Sequence, residues 1–260
     1  MNHSLFAAAK INLSLQITGK RDNGYHILNT LIGFTNLGDR ITVVPASNYS
    51  LTIDGPYKGH APADESNLVT RAVRLMEAAC QRKADIAVTL TKSIPAGAGL
   101  GGGSADAAVV MSELNKIWDS PLNITQLQDL GLKLGAELPV CLRAPGVFRV
   151  HGIGEGVMRE SIPRQTGIII WPGVALATGD VFKEYKGEKH DQNDLLDAAI
   201  RLAPPIAQAL ETLNTIGCTS TGMSGSGSSV FGMCEGGWEK AAKLAALHPT
   251  WWVKSFIINS

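Results

Sequence analysis

Glycine dominates one short stretch of the chain, and its spacing indicates a place where phosphate groups bind. Five of the seven residues from Gly97 to Gly103 are glycine, and Ser104 follows directly. Glycine is used where the backbone needs a positive φ or must come close to another group. A loop of this kind that leads into a helix offers an anion free backbone N–H groups and the positive end of the helix dipole. The stretch therefore predicts a cradle for a polyphosphate.

Two better-known phosphate motifs do not describe this loop. It is not a Walker A motif, because no Gly-Lys-Ser/Thr follows at the required spacing. It is not the dinucleotide fingerprint, because no acidic residue ends a strand about 20 residues further on. A flexible surface linker is the structural alternative, although linkers are rarely flanked by a good strand and a good helix.

The elements on either side of the loop must position it. Before it, residues 84–93 alternate Ile86, Val88 and Leu90 with smaller or polar residues, as a half-buried strand does. After it, apolar residues recur at helical spacing over residues 107–118. The order is therefore strand, glycine loop, helix, with Ser104 and Asp106 in or beside the first helical turn.

A second candidate site lies near the N-terminus, where residues 5–17 alternate with period two and predict a strand. This period puts Lys10 and Asn12 side by side on one face. A solvent-facing lysine on an edge strand would give the same pattern, so the pattern alone leaves both interpretations open. The same holds for Tyr25-His26 and for Phe182, which by residue type alone could be ordinary packing residues.

Taken together, these stretches resemble the GHMP kinases, a family of small-molecule kinases. Residues 95–105 fit the family's phosphate-loop pattern, Pro-x-Gly-x-Gly-Leu-Gly-(Gly)-Gly-Ser-Ser/Ala, throughout. Other motifs occur in the order of the branch whose acceptor is 4-diphosphocytidyl-2-C-methyl-D-erythritol. They are residues 9–13, 21–26, 66–69, 152–155 and 222–227.

The resemblance implies an ATP- and Mg²⁺-dependent kinase that phosphorylates the 2-hydroxyl of that acceptor in non-mevalonate isoprenoid biosynthesis. ATP would bind to the loop through Pro95, Gly97, Gly99, Leu100, Gly101, Gly102, Gly103, Ser104 and Ala105. Lys10 and Glu137 would be catalytic, and no residue is assigned as a metal ligand. The acceptor would contact Asn12, Tyr25, His26, Thr178 and Phe182, with the cytosine between Tyr25 and Phe182 and hydrogen-bonded to His26. Residues 224–228, a second glycine-serine loop, would complete the acceptor cleft with Thr178.

Glu137 is the main departure from the family pattern, which has aspartate in its Gly-Ala-Asp-x-Pro segment. Two alternatives therefore stay open at this stage. One is a GHMP kinase with another acceptor, although a nucleobase sandwich is useless to homoserine or mevalonate. The other is a non-catalytic, nucleotide-binding relative.

Composition excludes several classes of function. The formal net charge of the 260 residues is zero, which gives a nucleic-acid partner no electrostatic support. The apolar runs are too short to span a membrane, and the N-terminus lacks the pattern of a signal peptide. The four cysteines form no CxxC pair, which favours reduced thiols over a zinc site. We expect a cytoplasmic enzyme with a small-molecule substrate, acting as a monomer or homodimer.

The predicted fold class is α+β, with two domains at residues 1–158 and 159–260. The resemblance implies a ribosomal-protein-S5-like N-terminal domain that binds ATP. In the C-terminal domain, the order helix, two strands, helix, strand favours a ferredoxin-like sandwich. Two local expectations are that Ser66 caps a helix running to about Gln81, and that residues 28–37 and 40–45 form two strands.

Overall fold

A computed structural model describes residues 3–22, 24–119 and 121–259, with only the backbone of His3. Ten strands and eight α-helices are formed by these residues. In chain order they are β1 (His3–Lys20), β2 (His26–Pro45), β3 (Ser50–Asp54), α1 (Leu68–Cys80), β4 (Ile86–Thr91), α2 (Gly102–Ile117), α3 (Ile124–Leu132), α4 (Leu138–Cys141), β5 (Val147–Gly152), β6 (Gly156–Glu160), β7 (Gln165–Trp171), α5 (Thr178–Glu184), α6 (Leu196–Leu202), α7 (Pro205–Thr215), β8 (Thr219–Met223), β9 (Val230–Met233), α8 (Gly237–Leu247) and β10 (Trp252–Ile258).

The long strand β2 organises the N-terminal sheet. It pairs antiparallel with β1 on one side. On its other side, its first part pairs with β5 and its last part with β4. Parallel β3 extends the sheet from β4, and antiparallel β6 extends it from β5. Helices α1 and α2 share a core with this sheet, which includes Ile41, Met76, Leu90, Met111 and Leu114.

The C-terminal half has its own sheet, in the order β10-β7-β9-β8, with every neighbouring pair antiparallel. The first and last strands of this half lie next to each other, as in a ferredoxin-like sandwich. The predicted α+β class is therefore confirmed. Thr35 of β2 pairs with Ile258 of β10, which joins the two sheets.

The predicted domain boundary between residues 158 and 159 falls inside β6, which runs to Glu160. The chain passes from one sheet to the other through residues 161–164. The exact boundary stays a prediction.

Two local expectations were wrong. Asn67, not Ser66, caps α1, because its side chain accepts a 2.8 Å hydrogen bond from Val69 N while both the amide and the hydroxyl of Ser66 donate to Asp64. The two strands expected between residues 28 and 45 are one continuous strand, β2, since β1 pairs along both parts of it.

In the described part of the chain, no helix combines the length and the apolar character needed to cross a membrane.

Candidate active site

The glycine loop links β4 to α2 in a conformation that requires glycine at specific positions. Gly97, Gly99 and Gly101 have φ values of +66°, +77° and +65°, which side chains disfavour. At Gly99 a Cβ atom would also collide with the carbonyl of Ser224 and lie 2.8 Å from that of Gly227. The two glycine-containing loops therefore touch backbone to backbone.

Five consecutive carbonyl groups of the loop are turned into the protein by hydrogen bonds. The partners of residues 97, 98, 99, 100 and 101 are, in order, Leu176 N (3.1 Å), Ser229 N (3.0 Å), Ser224 Oγ (2.9 Å), Lys10 N (3.0 Å) and Ala105 N (2.9 Å). The first three partners belong to the C-terminal half of the chain. This arrangement fixes the direction of each peptide plane in the loop.

The loop leads into the N-terminus of α2, where anion-binding donors are available. The amides of Gly102, Gly103 and Ser104 lie in the first turn, where no intrahelical acceptor exists. A Cβ atom on Gly103 would meet nothing within 4 Å, so the backbone is open on that side. Ala105 differs, because its amide bonds to Gly101 and its side chain is buried. These contacts support the turn, and a direct role of Ala105 in binding ATP stays a prediction.

Lys10 and Glu137 form an ion pair directly beside the loop. Lys10 Nζ lies 2.5 Å from Glu137 Oε1, and also 2.5 Å from Asn12 Oδ1. The lysine side chain is 1% exposed and that of Glu137 is 39% exposed. A Cβ atom on Gly101 would lie 2.9 Å from Lys10 Cγ and 3.2 Å from Glu137 Oε2, so this glycine packs on the pair.

The surroundings explain why these side chains meet. Register shifts in β1, between Ala8 and Lys10 and between Asn12 and Ser14, flank the two polar residues. The alternative of a solvent-facing Lys10 is excluded by its burial. Glu137 immediately precedes α4 without capping it through its side chain, which leaves the carboxylate for Lys10.

A buried charge cluster underlies the loop. Lys92 Nζ lies 2.5 Å from Asp39 Oδ2 and 2.8 Å from Asp106 Oδ2, and Asp39 Oδ1 accepts hydrogen bonds from the amides of Ser93 and Ile94. Burial and, to a smaller extent, the Asp39 charge outweigh Lys92 and raise the pKa of Asp106 to about 7. Burial opposes the charge on Lys92, but the two carboxylates outweigh burial and raise the pKa of this lysine. The cluster ties β2, the loop entrance and α2 together.

A cleft of ≈ 510 Å³ brings most of the predicted site residues together. Its walls include Lys10, Asn12, Glu137, Thr178, Phe182 and the loop from Pro95 to Ser104. Asn12 Nδ2 donates to Thr30 Oγ1, and Thr178 Oγ1 lies 3.0 Å from Ser226 Oγ in the second glycine loop.

Of the residues predicted to bind the base, His26 and Phe182 are in contact with each other. His26 stacks on Phe182, with ring centroids 5.1 Å apart and planes 19° from parallel. Burial, and secondly the nearby Lys20 charge, lower the pKa of His26. Tyr25 is 63% exposed. The roles of these three residues toward cytosine stay predictions.

Sequence reasoning missed several residues that support the site. Asp39 and Lys92 carry no motif, although Lys92 stands at the end of a predicted strand, just before the loop. Gln192 and Asn193 were also missed, because their partners, the carbonyls of Asn12 and Gly225, are distant in the sequence.

Comparison with known protein families shows which family this chain belongs to. Residues 67–142 match the family model described as GHMP kinases N terminal domain, and residues 178–248 match GHMP kinases C terminal. The chain belongs to the GHMP kinases. It is thus a small-molecule kinase of a family that uses ATP as phosphate donor, and its two-domain fold is that of the family.

Individual relatives show which members of the GHMP kinase family this chain is similar to. The 4-diphosphocytidyl-2-C-methyl-D-erythritol kinase of Ruegeria pomeroyi is 39% identical over 275 residues, covering 95% of this chain and 96% of the relative. A relative of the same name from Paramagnetospirillum magneticum is 35% identical, with 96% of each chain covered. A solved 4-(cytidine 5'-diphospho)-2C-methyl-D-erythritol kinase has a TM-score of 0.82 and 29% identity, with 99% of this chain and 100% of that chain covered. Homoserine kinase from Cytophaga hutchinsonii shares the fold alone, with a TM-score of 0.69 and 16% identity over 99% of this chain and 94% of that one.

Proposed function

We propose that this GHMP kinase transfers the γ-phosphoryl group of ATP to the 2-hydroxyl of 4-diphosphocytidyl-2-C-methyl-D-erythritol, a step in isoprenoid precursor biosynthesis. The names of the curated relatives, over most of both chains, support this acceptor. Within the molecule, one observation carries the proposal: the Lys10–Glu137 pair packs against Gly101, at the end of the phosphate loop.

The loop binds the donor. With its carbonyl groups bonded inward, it presents the amides of Gly102, Gly103 and Ser104 to the ATP phosphates at the positive end of α2. Phosphoryl transfer has a loose, highly anionic transition state, so positioning and charge stabilisation supply most of the catalysis. Fixed amides suit this task because they need no reorganisation as the charge develops.

Glu137 and Lys10 act on the acceptor. The oxygen of the 2-hydroxyl forms a bond to the γ-phosphorus while the bond from that phosphorus to the β–γ bridging oxygen breaks, and ADP leaves. The hydroxyl proton passes to the Glu137 carboxylate, which acts as general base. Lys10, held by Asn12 and Glu137, balances the negative charge next to the reacting oxygens.

Mg²⁺ is proposed as the metal that accompanies ATP. It binds oxygen ligands and usually takes only one or two from protein, with the remainder from phosphates and water. The Ser104 hydroxyl and the Glu137 carboxylate are oxygen donors on the cleft wall, so the residues present fit this ion. Within the described residues, no group of three or more acidic, histidine or cysteine side chains is clustered for a metal. When bound, Mg²⁺ would neutralise part of the phosphate charge.

Asn12, next to Lys10, and Thr178 contact the acceptor, and Tyr25, His26 and Phe182 bind its cytosine. Two observations support this assignment: Phe182 lines the cleft, and His26 stacks against it. The monomeric or homodimeric state and the cytoplasmic location stay predictions from the sequence.

An ADP-release assay with several acceptors tests the proposal. We expect turnover with 4-diphosphocytidyl-2-C-methyl-D-erythritol and none with homoserine or mevalonate. Glu137→Ala should lower kcat by roughly 10²- to 10⁴-fold with little change in KM, as for a lost general base. Glu137→Asp should retain activity, because it keeps the charge.

Two results would count against the proposal. Wild-type turnover by Glu137→Ala would remove the catalytic role of Glu137. Binding of ATP by the wild-type protein without ADP release for any acceptor would indicate a non-catalytic relative.

A further inference from the structure

A short polar segment between α5 and α6 attaches to the strand that carries Lys10. Leu15 N donates to Gln192 O at 2.8 Å, and Asp194 N donates to Leu15 O at 3.0 Å. Asp194 Oδ2 also accepts a hydrogen bond from Ile17 N at 2.7 Å. Residues 192–194 therefore run alongside β1, a few residues after Lys10.

The side chains of the same segment hold the second glycine loop. Asn193 is fully buried, and its Nδ2 donates to Met223 O at 2.9 Å and to Gly225 O at 2.8 Å. Gln192 Nε2 donates to Asn12 O at 3.0 Å and to Met223 O at 3.2 Å, while its Oε1 accepts from Met223 N at 2.9 Å. One pair of amides thus fixes β1 and the loop relative to each other.

The second glycine loop in turn contacts both parts of the catalytic site. Ser224 Oγ accepts from Asn12 N at 3.1 Å and donates to Gly99 O at 2.9 Å. A Cβ atom on Gly225 would lie 3.1 Å from Lys10 Nζ. A shift of this loop would therefore move the phosphate loop relative to Lys10.

We propose that Asn193, assisted by Gln192, is a positioning residue for phosphoryl transfer. It sets the spacing between the Lys10–Glu137 pair and the phosphate loop through Met223, Ser224 and Gly225. The inference rests on the proposed function. Buried amides with fully satisfied hydrogen bonds specify a single arrangement, because any displacement leaves polar groups unpaired.

Asn193→Asp is the most specific test of the positioning role of Asn193. It keeps the Oδ1 atom that accepts from Leu195 N at the start of α6, but loses the two donors to the loop. A misplacement of about 1 Å can cost 10²-fold in rate. We expect kcat to fall by roughly 10- to 100-fold, while the dissociation constant for ATP changes by less than about threefold. Gln192→Glu is a milder second variant. Residue 192 is only partly buried, and the substituted side chain keeps an oxygen that can accept the hydrogen bond from Met223 N.

Asn115→Asp is the matched control. Asn115 is also buried, donates to Leu122 O at 2.8 Å and accepts from Leu122 N at 3.1 Å. It lies twelve residues after Gly103 on α2, or about 18 Å along the helix axis. This control should lose stability without a loss of kcat at temperatures where it is folded.

Hydrogen exchange gives a readout that does not depend on turnover. In Asn193→Asp, peptides covering residues 8–16 and 222–230 should exchange faster than in wild type, and in Asn115→Asp they should not. Equal losses of kcat in the two asparagine variants, or unchanged exchange in those peptides, would overturn the inference. If wild type shows no turnover, the proposed function fails, and hydrogen exchange alone then decides whether Asn193 holds the loop.

Discussion

Two glycines of the phosphate loop should respond in opposite ways to the same added methyl group. Gly101 has φ +65°, and a Cβ atom there would lie 2.9 Å from Lys10 Cγ and 3.0 Å from Lys10 Cε. Gly103 lies in the first turn of α2, and a Cβ atom there would meet nothing within 4 Å. Gly101→Ala should therefore strain the loop and the Lys10–Glu137 pair, whereas Gly103→Ala should create no clash within the protein and mainly weaken ligand binding.

The magnitudes follow from these surroundings. A left-handed conformation costs an L-residue roughly 1–2 kcal/mol, and the contact with Lys10 adds to this. Because the lysine must move, Gly101→Ala should also displace the Lys10–Glu137 pair and lower kcat by roughly 10²-fold. Alanine in place of a helical glycine stabilises by roughly 0.5–1 kcal/mol, so Gly103→Ala should be slightly more stable than wild type. Its ATP affinity should nevertheless fall at least about tenfold, because the methyl group blocks the approach of phosphate to the backbone.

Denaturant unfolding, calorimetric titration with ATP and steady-state kinetics on both variants test these expectations. Gly59→Ala is a suitable control, because a Cβ atom there also meets nothing within 4 Å and the residue lies outside the cleft wall. If Gly103→Ala binds ATP as tightly as wild type, phosphate does not approach the backbone at Gly103. If Gly101→Ala keeps full stability and full kcat, the packing of Gly101 on the ion pair has no functional weight.

Two further predictions concern the charge cluster and the acceptor. Folding raises the pKa of the Asp106 carboxyl from its ordinary value of 3.8 to about 7. Because the folded state then holds a proton that the unfolded state has lost, the free energy of unfolding should fall as pH rises between about 4 and about 7. Asp106→Asn should reduce this fall, measured by urea unfolding without nucleotide or Mg²⁺, and an unchanged pH dependence would refute the assignment. Phe182→Ala should raise KM for the cytidylyl acceptor by roughly 5- to 150-fold, the equivalent of about 1–3 kcal/mol of stacking, and leave ATP affinity unchanged. Calorimetry with each ligand checks this, and equal losses for both ligands would contradict a role specific to the base.

The sequence predicted the parts of the site that depend on local structure. The strand before Gly97 and the helix after it have clear periodicities, and they were found where expected, with α2 beginning at Gly102. The period of β1 put Lys10 and Asn12 on one face, and their side chains are hydrogen-bonded. The prediction that Ser66 caps α1 was wrong because the Ser66 side chain donates a hydrogen bond to Asp64. Asn67 caps the N-terminus of α1 instead.

The sequence did not reveal contacts between distant segments. Asp39 bonds to the amides of Ser93 and Ile94, more than fifty residues away, and Asn193 bonds to the carbonyl of Gly225. Such partners are brought together by β2 and by the docking of the two sheets, which no local pattern encodes. Burial of Lys10 likewise depends on the C-terminal half, because Gly225 covers its ammonium group.

The carbonyl contacts of the phosphate loop imply that the proposed nucleotide site depends on both halves of the protein. Leu176 and Ser229 hold the carbonyls of residues 97 and 98 from segments about 80 and 130 positions further along the chain. A fragment of the N-terminal half would keep the glycines but lack these anchors, so it should not serve as an independent ATP-binding unit. If ATP binds to this loop, nucleotide binding should report the docking of the C-terminal segments that anchor it. By mass action, ATP should stabilise the contact between the halves as well as the loop itself.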